Sequence, residues 1–224
     1  MLIAIEGIDG AGKRTQTERL KARLEANGFT VGVISFPRYG ETIMARAVAD
    51  YLNGRFGDIG DMPAHFPALL YAGDRFESRT LLCELLKACD IVLADRYVAS
   101  NLAYQGAKLG DAERAEFIDW MTRIEHDVYQ LPLADLTVYL DVPVQVSSSL
   151  VAKKPKRSYT DATKDLHERN ADYMAACRDV YSMLIGAQHR SQWVAVACTD
   201  HHGVMRDINT IHAAIWETVE AYLP

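Results

Sequence analysis

Leu2-Ile3-Ala4-Ile5 is an unbroken apolar run, and the chain leaves it directly for Glu6-Gly7-Ile8-Asp9-Gly10-Ala11-Gly12-Lys13-Arg14-Thr15. A helix-like stretch then extends from Gln16 to about Glu25. No other feature restricts the fold so much. A short run without polar alternation predicts a strand buried on both faces, and a glycine-rich turn leading it into a helix predicts an α/β unit. Glycine reaches backbone conformations closed to other residues, so N–H groups can close around an oxyanion. The helix start adds partial positive charge and Lys13 a full one. The pattern predicts a cradle for the phosphates of a nucleoside triphosphate, made by Gly7, Asp9, Gly10, Ala11, Gly12, Lys13, Arg14 and Thr15.

One departure matters. The usual loop places Ser or Thr directly after the lysine, where the hydroxyl binds Mg²⁺. Here Arg14 fills that slot and Thr15 comes one residue late. The metal is therefore expected to be held differently. An arginine in the loop suits charge developing on a transferring phosphoryl group, which makes both Lys13 and Arg14 candidate catalytic residues.

The organisation downstream agrees with an α/β reading. Short apolar runs at Thr30–Phe36, Ile91–Ala94, Leu136–Leu140 and Trp193–Ala197 alternate with helical patterns at about Thr42–Leu52, Ala64–Lys87, Asn101–Lys108, Asp111–His126, Val144–Val151, Asp165–Ile185 and Val204–Tyr222. Such alternation predicts a three-layer α/β/α arrangement, with a parallel sheet of about five strands flanked by helices. At 224 residues, without repeat or linker, the chain is expected to be one domain spanning 1–224.

Composition removes several function classes. A net charge of −6 lacks the broad basic footprint of a general nucleic-acid binder. No apolar run reaches the length of a membrane span, and no basic stretch precedes the first strand as in a signal peptide. Cys83, Cys89, Cys177 and Cys198 are scattered without metal-like spacing, so buried thiols in a reducing cytoplasm are expected rather than disulfides.

Ligands of open α/β sheets collect beyond the C-terminal ends of the strands. The segments there are the glycine-rich loop, Pro37-Arg38-Tyr39, Asp95-Arg96-Tyr97 and Asp141-Val142-Pro143. Asp95 stands where a carboxylate holds Mg²⁺ beside a phosphate loop, or where it caps a turn. Arg96 offers a planar fork matched to a phosphate dianion, or is a solvated arginine.

Gly7-Ile8-Asp9-Gly10-Ala11-Gly12-Lys13, Phe36-Pro37-Arg38-Tyr39, Asp74-Arg75, Asp95-Arg96-Tyr97 and Ser100-Asn101-Leu102-Ala103-Tyr104-Gln105-Gly106 follow one another in this order. Together they resemble the thymidylate kinase family, from residue 2 to about 185, and Arg14 resembles its mycobacterial branch. The resemblance implies a P-loop kinase fold, ATP as phosphoryl donor, dTMP as acceptor, Mg²⁺ and a homodimer. It also implies roles. Phe36 and Pro37, with Tyr39, shape the dTMP pocket; Tyr71 stacks on thymine; Arg75 donates to a thymine carbonyl; Asn101 reads the base edge. Tyr104 crowds the ribose 2′ position, Arg96 grips the acceptor phosphate as a catalytic residue, and Asp9 approaches both acceptor and metal, again as a catalytic residue. By their helical spacing alone, Tyr71 and Tyr104 read as core; in the order and context of these motifs they read as pocket residues.

Lys153-Lys154-Pro155-Lys156-Arg157 is the densest basic run in this acidic chain. Alone it reads as a solvated loop; within the family resemblance it resembles the lid that closes over ATP, at about 152–166, with Lys153, Lys154, Lys156 and Arg157 reaching the phosphates. Glu168 resembles the lid-helix glutamate near the metal, which makes Asp9, Asp95 and Glu168 the expected metal ligands. A deoxynucleoside kinase is the nearest alternative. Its hydroxyl acceptor needs a carboxylate base after the second strand, where this chain has Phe36-Pro37-Arg38. A GTP-binding switch lacks a guanine-reading Asn-Lys-x-Asp pattern here.

Overall fold

The computed structural model describes residues 1–58, 62–151 and 171–223, and within them five strands form a parallel sheet in the order β2-β3-β1-β4-β5. They are β1 (Leu2–Glu6), β2 (Val31–Ser35), β3 (Ile91–Asp95), β4 (Leu136–Asp141) and β5 (Gln192–Ala197). The apolar run that opens the chain becomes the central strand. Successive side chains of a strand point to opposite faces, so this run must be covered twice. Leu2 and Ala4 pack in one core with Ile34, Val92 and Ala94; Ile3 and Ile5 pack in another with Leu93, Val138 and Leu140.

The first face is covered by α4 (Arg79–Ala88), α5 (Val98–Gly106), α6 (Asp111–Arg123) and α8 (Ala171–Gly186), through Leu82, Leu102, Phe117 and Tyr181 among others. The second is covered by α1 (Lys13–Ala26) and α9 (Ile208–Glu220), through Leu20, Leu24, Ile211 and Ile215. This is the three-layer α/β/α arrangement expected. Helices α2 (Ile43–Leu52) and α3 (His65–Glu77) pack against each other, and α7 (Val144–Val151) follows β4. Among the described residues no helix is long and apolar enough to cross a membrane.

Register aligns the strand ends. Ser35 pairs with Asp95, Asp95 with Ile5, and Ile5 with Val138. The residues just beyond them therefore emerge side by side at one edge.

The segment expected as one helix over Ala64–Lys87 is instead two. Ser78 lies between α3 and α4 and its hydroxyl donates to the Asp74 carbonyl at 2.8 Å. A serine bonded back to the preceding turn weakens and bends a helix. Helix α6 runs into a π-helical turn, Ile124–Val128, where the Tyr129 N–H reaches the Ile124 carbonyl at 2.8 Å. Helix α5 begins three residues earlier than the pattern at Asn101 suggests, because its first N–H groups are capped by a carboxylate from β1. Helix α9 begins later, at the Asp207 cap, which accepts from the N–H groups of Asn209 and Thr210. All four cysteines are free, but Cys83 and Cys89 are only partly buried, unlike Cys177 and Cys198.

Candidate active site

The glycine-rich segment turns tightly between β1 and α1. Gly7 adopts φ +149°, and a Cβ there would stand 2.9 Å from the Leu140 carbonyl oxygen, so only glycine fits without displacement. Gly12 starts α1 from a left-handed φ of +86°. Lys13 folds back into the loop, where its Nζ donates to the carbonyls of Gly7 at 2.9 Å and Ile8 at 3.0 Å. It is buried, and that burial, followed by the nearby Arg96 charge, pulls its pKa down to about 7.

Arg96 lies at the end of β3 with φ +67°, a left-handed conformation unusual for a long side chain. Its backbone N–H donates to Ile5 at 3.0 Å. Its guanidinium forms an ion pair with Asp9 and donates to the Ser100 hydroxyl at 3.1 Å and, weakly, to the Gly7 carbonyl at 3.4 Å. The guanidinium carbon also stands 5.2 Å from the Tyr104 ring centroid. The Gly7 carbonyl thus receives both Lys13, the cation of the loop, and Arg96, the cation of the neighbouring strand.

Beside this junction opens a cavity of about 160 Å³. Asp9, Phe36, Pro37, Tyr39, Tyr71, Arg75, Arg96, Asn101 and Tyr104, the residues expected at the acceptor, all line it, although they come from five separate stretches of chain. The Phe36–Pro37 peptide is cis. Tyr71 and Tyr104, readable from sequence as core, reach the cavity wall. Tyr104 is itself largely buried, and its backbone carbonyl accepts from the Tyr173 hydroxyl.

Two of the residues lining the cavity, Arg75 and Asn101, belong to a buried polar network. Arg75 is 2 % exposed and makes a two-point ion pair with the fully buried Glu125, at 2.6 and 2.5 Å. The Asn101 amide donates to the same carboxylate at 3.0 Å and to the Ala68 carbonyl at 3.0 Å. That leaves the Asn101 Oδ1 buried without a partner, as is the Oε1 of Gln105. Buried polar atoms are normally satisfied, and both residues line the cavity.

Some expected residues are not brought together. Arg14 is exposed and pairs with Glu18 at 2.9 Å on the surface of α1, and Thr15 is exposed too. Asp141, at the fourth strand end, is held by Arg178 at 2.7 Å. Arg38 turns to the Ser78 hydroxyl at 3.2 Å and towards Glu41. Lys153, Lys154, Lys156, Arg157 and Glu168, and with them the expected lid at 152–166, lie outside the described residues.

Asp9 and Asp95 both lie close enough to Lys13 to act on its charge, and Asp95 is only partly buried. No cluster of three or more metal-ligating side chains occurs among the described residues. Magnesium commonly takes one or two carboxylates together with nucleotide phosphates and water, and this donor set fits that habit.

Sequence reasoning passed over Glu6, Leu52, Ser100, Gln105 and Glu125. Ser100 and Gln105 sat inside a motif already quoted, unassigned. Glu125 had one indirect signal: Arg75 follows Ala68 and Ala72 on one side of its helix, and a guanidinium buried there requires a carboxylate.

The family model for thymidylate kinase matches residues 5–201. The thymidylate kinase of Mycobacterium tuberculosis strain H37Rv is 36% identical over 196 residues, covering 88% of this chain and 91% of that protein. A probable thymidylate kinase of Saccharolobus solfataricus is 29% identical, over 83% of this chain and 88% of the relative. A solved thymidylate kinase structure from Candida albicans superposes with a TM-score of 0.72 at 21% identity, covering 99% of this chain and 91% of that one, which shows the shared fold. Glycine loop, aligned strand ends and cavity are thus set in a sheet of the same design, and the chain belongs to the thymidylate kinase family.

Proposed function

We propose a division of labour in the reaction ATP + dTMP → dTDP + ADP, which this chain catalyses as a thymidylate kinase. The observation that carries it is the shared Gly7 carbonyl, where a donor-side and an acceptor-side cation meet. Phosphoryl transfer asks little covalent chemistry of a protein and much positioning and charge. Lys13 serves the transferring phosphoryl group. Arg96 holds the dTMP phosphate, releasing part of its hold on Asp9 as it does so. The attacking phosphate oxygen is already anionic, so no general base is needed.

The cavity supports the acceptor. Two N–H groups of Arg75 are fixed by Glu125, which orients the guanidinium plane and leaves others for a thymine carbonyl. The unpaired Asn101 and Gln105 oxygens suit the N3–H of thymine. Tyr71 supplies an aromatic face for the base, Phe36, Pro37 and Tyr39 the wall, and Tyr104 crowds a ribose 2′-hydroxyl. Mg²⁺ would be held by Asp9 and Asp95, with Glu168, and would supply charge that neutralises the donor phosphates. Gly7, Gly10, Ala11 and Gly12 cradle the ATP phosphates, with Arg14 and Thr15 following them. Engagement of Arg14 requires that it leave Glu18, an exposed pair of little worth.

We read the chain as one domain with a basic lid at about 152–166, acting in the cytoplasm as a homodimer. Ile43 is 78 % exposed at the start of α2, and Phe66, Leu69 and Phe76 form an exposed apolar stripe on α3, which suits a self-complementary interface.

A coupled ADP-release assay with ATP and Mg²⁺ tests the reaction across dTMP, thymidine, dUMP, dCMP, dGMP and UMP. Strong preference for dTMP is expected. Turnover of thymidine but not dTMP moves the chain to the nucleoside kinases, and no turnover with any acceptor overturns the reading.

A further inference from the structure

Glu6, the last residue of β1, is fully buried, yet it faces no lysine or arginine at hydrogen-bond distance among the described residues. Its carboxylate instead collects four hydrogen bonds. Oε1 accepts from the N–H groups of Tyr97 at 2.7 Å and Ser100 at 3.1 Å, and Oε2 from the hydroxyls of Ser100 at 2.6 Å and Tyr181 at 2.8 Å. Three of the four donors lie within the turn that follows Arg96. The residue before this turn is tied to the same strand, through the Arg96 N–H on the Ile5 carbonyl.

Arg96 is thereby held on both sides in a left-handed conformation that long side chains seldom adopt. The Ser100 hydroxyl that reaches Glu6 is also the acceptor for the Arg96 guanidinium. Glu6 directly precedes Gly7, whose carbonyl receives Lys13 and Arg96. One carboxylate therefore ties the end of β1, where the phosphate loop begins, to the turn that aims the acceptor clamp. A carboxylate is acceptor-only and can satisfy four donors without presenting one of its own.

We propose that Glu6 is a positioning residue for dTMP, fixing the backbone of Arg96 so that its guanidinium meets the acceptor phosphate. The proposal rests on the assignment of Arg96 to that phosphate. It differs from a general structural role in acting through one side chain.

The test measures steady-state kinetics with dTMP, ADP affinity without divalent metal, and thermal stability. Glu6→Ala is expected to raise KM for dTMP by about tenfold or more, with ADP affinity within about twofold of the parent. Glu6→Gln keeps an oxygen for the two backbone N–H groups and is expected to restore most of the loss. In an Arg96→Ala background, Glu6→Ala should add nothing further to the dTMP KM, because groups acting as a unit are non-additive. An unchanged dTMP KM in Glu6→Ala, or an effect undiminished in the Arg96→Ala background, overturns the inference. Should Glu6→Ala fail to fold, Tyr181→Phe removes one donor outside the cavity and should raise the dTMP KM by about threefold, only while Arg96 is present. A Tyr181→Phe KM equal to the parent's also overturns it. Parent enzyme that does not turn over dTMP would instead strike at the function itself, so the two failures are separable.

Discussion

Burial, and after it the Arg96 charge, brings the Lys13 ammonium from its ordinary 10.5 down to about 7 in the free protein. Between those values the unfolded chain holds a proton here that the folded chain has lost. Stability contributed by this residue therefore rises with pH across that window, and the penalty is complete below it. Phosphate favours the charged form, so binding must return the proton. Calorimetry of metal-free ADP binding at pH 8, in buffers of different ionisation enthalpy, should show net uptake approaching one proton, absent in Lys13→Arg. No uptake by the parent would contradict this account of the loop. Residue-level legibility was uneven for a related reason. Lys13 and Arg96 could be found because their motifs are local in sequence. Glu6 and Glu125 were passed over, because their meaning lies in partners 91 and 50 residues away.

At the scale of elements, the loop and the strand ends do most to place the site. Periodicity and turn residues suffice to find all five strands within a residue or two of their bounds. Helix limits were less legible where a side chain overrides propensity: Ser78 divides α3 from α4, and the Glu6 carboxylate starts α5 early. The loop itself makes a sharp claim. Gly7→Ala places a methyl against the Leu140 carbonyl and the Ala11 side chain in a backbone conformation unsuited to alanine. The substitution should destabilise the fold by about 1–3 kcal/mol and weaken nucleotide binding together. Urea denaturation and ADP titration check both. A variant as stable and as tight as the parent would mean that the loop relaxes freely.

For the whole molecule, the two cores follow from an apolar strand that requires cover on both faces, which is why the three layers were readable early, whereas the strand order β2-β3-β1-β4-β5 was not. Arg96 and Asp9 were readable from their loop and strand-end positions, but the rest of the cavity was readable only through family resemblance, since spacing alone assigns Tyr71 and Tyr104 to core. Oligomeric state belongs to this scale. Sedimentation of the parent should give a dimer, and Phe66→Glu with Leu69→Glu should give a folded monomer; a monomeric parent would dismiss the α2–α3 face as an interface. The central claim is that this fold brings a phosphate clamp to the thymine pocket. Its most direct test compares dTMP with thymidine binding in the parent and in Arg96→Ala. The account predicts that the parent prefers dTMP by about a hundredfold or more and that Arg96→Ala removes most of that preference, while thymidine binding changes little. An Arg96→Ala variant that keeps the full preference for the phosphorylated acceptor would contradict it.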